Sequence, residues 1–457
     1  MTEPIVARQP NIAVICMASE HGGVNGSLAL ALALKGAGWR VVYLGMRNLR
    51  DYVQARGFEY QVLPAPSEHA FDPGRLRDFG LVARIWPKLG HQAACIEAMI
   101  ENHARLLAQM RPNVVLVDPV LPILGIAPLR LGLPIVALNP TLAGTPQPNV
   151  PPIFSHAAPG PRARGVSSAR CEFEWARIRA RRAPGDLFSS MVSARLGMDV
   201  TRLVRTAGGR TQQFEYGLKL DIPELVLAPL ELEFPARSGN PSRHYLGTSV
   251  ARVSGRLDAE LGRRLQASKV AYGSLGTLNA HYPHRARFFQ ALVGAFGAKA
   301  DWQLVVATGH LEPSELGPLP PNVLALKHVP QQELLAKASV FVTHGGAGSV
   351  REAIHFGVPM VVFPCGLDQN GLAARVDYHA IGVRGDIARV TSQKLSELVD
   401  AALSPTIAAS MQRVQRAATR PEAMQRGVEL LDRLAARTCD VVNDASPWYR
   451  ATERVAD

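Results

Sequence analysis

Short apolar runs alternate along this chain with glycine-rich or helical stretches. Ile12 to Met17 is apolar and predicts a strand, and Ala18 to Gly26, with three glycines, predicts a loop. Leu28 to Leu34 is rich in helix formers and is closed by Gly36 and Gly38, and Val41 to Leu44 is the next apolar run. A strand, loop, helix and strand in that order predict a parallel, doubly wound sheet. A helical pattern follows from about His91 to Met110, then strands at Asn113 to Val117, ending at Asp118, and at Leu133 to Leu138. A second series begins near Leu225 and continues with Lys269–Tyr272, Trp302–Ala307, Val323–Leu326, Ser339–Thr343 and Pro359–Phe363. The polar stretch Pro235 to Ser242 reads as the connection between two halves. The tail from Pro421 is helical and then polar, and its Trp448 and Tyr449 predict docking onto a surface.

The length of 457 residues supports this division, because single cores stop growing near ~250–300 residues. A composition of 47% apolar and 19% charged residues excludes disordered and collagen-like chains. Pro112 to Pro140 carries only Asp118 and Arg130 as charges, yet its recurring prolines break any spanning helix. The first ten residues hold no apolar run of the secretory kind, and the five cysteines are scattered without a C-x-x-C pair, so the expected location is the reducing cytoplasm. The net charge is +12 and its excess is uneven: seven arginines lie between Arg162 and Arg182 against Glu172 and Glu174. No nucleic-acid reading motif accompanies them. The alternatives are a basic solvated face and a peripheral contact with an anionic membrane.

The densest chemistry lies between Val340 and Gly357. An apolar strand runs into His344, followed by Gly345, Gly346, Gly348 and Ser349, with a helix predicted from about Gly348 or Ser349. Glycines let the backbone approach a ligand, and the amides of a helix start attract phosphate. Glu352, one turn on, is placed to accept hydrogen bonds from a ribose. Asp368 and Gln369 follow the strand that ends at Phe363, at the carboxyl edge where open α/β sheets bind ligands. Upstream, His328, Val329, Pro330 and Gln331 lie in a strand-to-helix loop of the same half.

The segment from His328 to Gln369 resembles the nucleotide-sugar signature of family 1 glycosyltransferases, the bacterial macrolide and plant secondary-product sugar transferases. The likeness rests on the proline-glutamine pair, the His-Gly-Gly turn, Ser349, Glu352, Gly357-Val-Pro and Asp368-Gln369, in order and spacing. More weakly, Gly273 to Thr277 is similar to the family's second phosphate loop and Asn11 to Leu44 to its first strand and helix. The resemblance implies an α/β GT-B fold, two Rossmann-like domains facing a cleft. An acceptor domain would span 1–234, a nucleotide-sugar domain 235–425, and a final helix and tail, 426–457, would pack back on the first. It implies that His344, Gly346, Gly348 and Ser349 hold the diphosphate with Gly276 and Thr277. Glu352 would bind the ribose, Val329 and Gln331 would line base and ribose, and Asp368 and Gln369 would hold sugar hydroxyls. Many relatives have tryptophan where His328 stands, and plant members have asparagine where Gly348 stands.

Relatives also carry a histidine base oriented by an aspartate, since an attacking hydroxyl must lose its proton. Asp118 occupies the aspartate's place. The base position falls on Gly23, whereas His21 matches a preceding, non-catalytic histidine. Either His21 swings in on a pliable loop, or the acceptor is acidic enough to need little help, or the chemistry differs. No D-x-D pair occurs, so no metal is expected. The resulting expectation is an inverting, metal-independent transferase without a cofactor. It would move a hexose, glucose before a dTDP-deoxysugar, from a UDP-sugar co-substrate to a lipophilic small molecule. The apolar stretches Leu81–Trp86, Pro119–Leu124 and Ile153-Phe154 suggest that acceptor, with ordinary core as their other reading. A nucleotide-sugar epimerase and a non-catalytic transferase partner are the rival functions.

Overall fold

The computed structural model describes residues 10–17, 21–45, 49–63, 89–142, 144–147, 149–159, 167–195, 199–235, 240–252, 257, 259–265, 269–276 and 279–441. Leu81–Trp86, Thr277, Trp448 and Tyr449 lie outside them, as does the side chain of His21.

Two parallel sheets organise the chain. The first has seven strands: β1 (Ile12–Cys16), β2 (Arg40–Gly45), β3 (Glu59–Val62), β4 (Val114–Val117), β5 (Ile135–Asn139), β8 (Glu224–Val226) and β9 (Arg243–Tyr245), in the order β3-β2-β1-β4-β5-β8-β9. Between β5 and β8 the insertion contributes an antiparallel hairpin, β6 (Thr211–Phe214) with β7 (Gly217–Leu220), and the long helix Ser168–Arg195. The second sheet has six strands: β10 (Lys269–Ser274), β11 (Trp302–Ala307), β12 (Val323–Leu326), β13 (Val340–Thr343), β14 (Met360–Val362) and β15 (Gly382–Arg384). Their order, β12-β11-β10-β13-β14-β15, reverses direction between β10 and β13. That reversal opens a crevice at the carboxyl ends of the two strands.

The strands are apolar on both faces because helices cover both. Val14 is aligned with Val42 and Val115, and Tyr272 with Val305 and Phe341, all of them buried. The Tyr272 and Phe341 rings stack at 4.8 Å, which aims the Tyr272 hydroxyl at the crevice loops. One core joins the two halves: Leu142, Ile153, Val226 and Leu232 from the first pack with Phe341, Val350 and Leu372 of the second.

Two expectations are corrected here. From His21 onward the stretch to Gly26 is not a pliable loop: the helix His21–Gly36 includes Gly22, Gly23 and Gly26. Gly26 has a packing reason, since a β-carbon there would lie 3.0 Å from Nη2 of Arg351 in the other half. The division also falls later than residue 235, because β9 pairs in parallel with β8 and completes the first sheet. The chain crosses between Tyr245 and Lys269. The last helix, Pro421–Val441, returns to the first half, where Leu431 and Ala435 join its core and Trp39 Nε1 donates to Asp432 at 2.9 Å.

Candidate functional site

The crevice between β10 and β13 is built on backbone. After β13 the chain passes through His344, Gly345 (φ 78°) and Gly346 into the helix Ala347–Phe356, for which Gly346 is the N-cap. Among the described residues no side chain caps this helix, and the amides of Ala347, Gly348 and Ser349 have no intrahelical partners. Opposite, after β10, Gly276 adopts φ 72°. His344 fills the gap: β-carbons built at Gly276 and Gly346 would lie 2.5 Å from its Cε1 and 2.6 Å from its Nε2. Burial pushes its pKa down to about 4, against a hydrogen bond to the Ser274 backbone that raises it, so the ring is neutral at pH 7. A neutral imidazole tied to Ser274 joins the two glycine loops and supplies hydrogen bonding rather than charge. Ser349 is 9% exposed beside it, while Gly348 is exposed with open space around it.

A second polar chain runs along the same helix. The Tyr272 hydroxyl donates to Gln331 Oε1 at 3.1 Å, and Gln331 Nε2 donates to Glu352 Oε2 at 2.5 Å. Gln332 Nε2 donates to Glu352 Oε1 at 3.1 Å and to the Ala251 carbonyl at 2.9 Å. Glu352 is thus gripped by two amides and remains half-buried with lone pairs to spare. Gln331 stands on the first turn of a short helix and acts here on Glu352, while Val329 packs against the core and His328 is exposed.

Asp368 and Gln369 open the helix Asp368–Tyr378 just beyond β14. Gln369 is committed at both ends: its Oε1 accepts from the Cys365 amide at 2.8 Å and its Nε2 donates to Tyr282 at 2.9 Å. One N–H remains for a ligand. Asp368 faces the other half, where the Thr141 hydroxyl donates to its Oδ2 at 3.2 Å. Burial pushes its pKa up to about 6, with that hydrogen bond opposing the rise.

The first half supplies a wall opposite these residues. Asp118 is 2% exposed, and its Oδ1 accepts from the Val120 amide at 3.0 Å, so it caps the turn after β4. Tyr216, at the hairpin tip, sits edge-on to Phe154 at 4.8 Å, and Asp368, Glu215 and Asp118 all help to hold its hydroxyl protonated, after burial itself. Glu215 accepts from the Ile153 amide, and Ile153 returns its carbonyl to the Gly371 amide at 2.7 Å. The other oxygen of Glu215, Oε2, has no hydrogen-bond partner among the described residues, and burial pushes the pKa up to about 8. Among the described residues no cluster of His, Cys, Asp and Glu could hold a metal ion, and no helix is long and apolar enough to cross a membrane.

Sequence reasoning missed Gln332, Tyr282, Thr141, Glu215 and Arg351. Gln332 could have been inferred from its place beside Gln331 before a helix. The others meet the site only through contacts between distant segments.

Residues 291–430 match the family model of the erythromycin biosynthesis protein CIII-like C-terminal domain. The uncharacterized UDP-glucosyltransferase YdhE of Bacillus subtilis is 34% identical over 160 residues, 35% of this chain and 39% of that protein. The aligned region therefore spans about two fifths of that relative's length. The zeaxanthin glucosyltransferase of Pantoea ananas is 26% identical over 376 residues, 78% of this chain and 80% of that protein. The crystal structure of the glycotransferase of kitacinnamycin superposes with a TM-score of 0.68 at 25% identity, covering 93% of this chain and 99% of that one.

Proposed function

We propose, from the premise that the chain belongs to the family 1 GT-B glycosyltransferases, that it transfers a hexose from a UDP-sugar to a hydroxyl or carboxyl of a lipophilic small molecule. The observation that carries this reading is the paired glycine loops around His344, because they leave a helix start open to a diphosphate. The acceptor oxygen would form a bond to the anomeric carbon as the bond to the nucleotide breaks. The electron pair and the charge then pass to the leaving diphosphate, where the amides of Ala347, Gly348 and Ser349 stabilise them. Glu352 would take the ribose hydroxyls, and Asp368 with the free N–H of Gln369 would take sugar hydroxyls. Displacement from the opposite face inverts the carbon.

Glucose is favoured by the kinship with glucosyltransferases. A carotenoid, sterol, phenol or polyketide is the proposed acceptor; Phe154, half-buried beside Tyr216, is the apolar side chain offered to it, whereas Ile153 is 1% exposed and belongs to the core between the halves. We assign the acceptor's proton to His21 and the orienting role to Asp118, as the family resemblance implies. No metal and no cofactor is invoked.

A UDP-release screen across donors and aglycones, repeated with His21→Ala and Asp118→Asn, tests the reading. Release only when an acceptor is added supports transfer. Interconversion of the sugar without acceptor would indicate an epimerase, and UDP binding with no turnover a non-catalytic partner. Full turnover by His21→Ala would remove the base assignment alone.

A further inference from the structure

The helix Ser168–Arg195 has two unlike faces. On its inner face Cys171, Trp175 and Ile178 are 4%, 8% and 9% exposed. Ser168 donates to the Asn149 side chain at 2.7 Å, and Arg182 donates to the carbonyls of Phe214 and Glu215. This face therefore backs the wall in which Glu215 holds the Ile153 amide, while the carbonyls of Ile153 and Phe154 accept from Gly371 and Asn370 of the helix bearing Asp368.

The outer face is apolar at its centre. Ala169, Phe173, Ala176, Ala180 and Ala183 recur at three- and four-residue spacing and are all exposed. Phe173 is 65% exposed, the only aromatic among the large exposed apolar side chains of the described residues. At 100° per residue Arg170 and Arg181 flank this stripe on one side, and Arg179 with Glu172 on the other; all four are exposed. Arg177 is paired with Glu174 at 2.5 Å. Arg170, Arg179 and Arg181 make no side-chain hydrogen bond or salt bridge among the described residues, so three free cations face one free anion on this surface. An aromatic and alanine centre edged by arginines is the pattern of a helix lying in a membrane interface, where guanidinium heads reach the headgroups over their own apolar stems.

We propose that this helix face rests on an anionic lipid surface and so holds the acceptor wall against the bilayer in which a lipophilic acceptor dissolves. The surplus of positive charge selects the occupant: a second copy would bring the same cations to the contact, whereas anionic headgroups neutralise them. The net charge of +12 adds long-range attraction in the same sense. The docking itself stands apart from the transfer reaction proposed above; only its use, delivery of the acceptor, rests on that reading.

The test is flotation of the full chain with vesicles at low salt, comparing pure phosphatidylcholine with the same lipid containing about a third phosphatidylglycerol. Binding is expected only to the anionic vesicles and is expected to fall as salt rises. The triple variant R170A/R179A/R181A should lower the partition coefficient about a hundredfold, at roughly 1 kcal/mol per basic residue. Phe173→Ser should lower it about tenfold, the loss expected for withdrawing an aromatic ring from an apolar environment. Unchanged UDP affinity by calorimetry shows that each variant is folded and leaves the donor site out of the outcome. Absence of vesicle binding, equal binding by the triple variant, or a concentration-dependent dimer that the triple variant abolishes would each overturn the proposal.

Discussion

The imidazole of His344 occupies the volume that a side chain at Gly276 would need: a β-carbon there would stand 2.5 Å from Cε1. The two loops at the crevice are therefore fitted to each other through one ring. The φ of 72° at Gly276 adds a second reason for glycine at that position. Gly276→Ala is expected to weaken UDP binding about 5- to 150-fold, since the strain and clash together cost ~1–3 kcal/mol. Gly348→Ala meets open space and should leave affinity within about twofold, an alanine being the better helix former. Calorimetry with UDP on both variants checks the contrast; equal effects would contradict it.

Glu352 is held by the amides of Gln331 and Gln332, and this fixes both carboxylate oxygens relative to the helix start. Glu352→Ala should reduce UDP affinity by about 10- to 100-fold, the range for losing hydrogen bonds to a charged group. Its specific signature lies in the ribose. The parent should prefer UDP to 2′-deoxy-UDP, and the variant should bind the two alike. If the preference survives, Glu352 does not read the ribose.

Glu215 carries a pH prediction. Its pKa is pushed up from 4.5 to about 8 by burial, so between those values the folded protein holds a proton that the unfolded chain has released. More protons bound in the folded state means that stability falls as pH rises, with a slope approaching about 1.4 kcal/mol per pH unit inside that window. Glu215→Gln keeps an oxygen for the Ile153 amide and removes the titration. Urea unfolding at pH 6 and pH 8 should show the parent losing stability across this interval and the variant losing less. Identical slopes would mean that the Glu215 carboxyl is ionised throughout.

Gly371 joins the halves through backbone. Its amide donates to the Ile153 carbonyl at 2.7 Å, and a β-carbon would approach that oxygen to 2.2 Å. Neither partner is the end of a flexible side chain, so Gly371→Ala must push Ile153 and the Asp368 helix apart. A loss of about 1–3 kcal/mol is expected, the cost of overpacking a filled interior. It is read as a lower midpoint in thermal or urea unfolding, and no change would show that the seam yields freely.

The apolar runs at Ile12–Met17, Trp302–Ala307 and Ser339–Thr343 were legible because a strand covered on both faces is apolar throughout, and that property is local. The glycine turn after His344 was legible for a similar reason, since close backbone approach demands glycine whatever lies opposite. The helix start at His21 was not, because three glycines read as a loop until Arg351 is seen against Gly26. The strand at Arg243–Tyr245 was hidden too: three residues with two polar side chains acquire strand geometry only by pairing with β8.

Sequence by itself determined the alternation of strands and helices, the glycine positions that open a helix start, and the order of polar groups from His328 to Gln369. These are set by neighbours a few residues apart, and composition and spacing record them. Tertiary structure alone decided that His344 is neutral and wedged between two glycines, that Glu352 is gripped by two glutamines, that Thr141 meets Asp368, and that Glu215 holds the Ile153 backbone that bonds Gly371. Each of these joins segments that lie far apart along the chain or depends on burial, and both arise only when the two sheets and the insertion pack together.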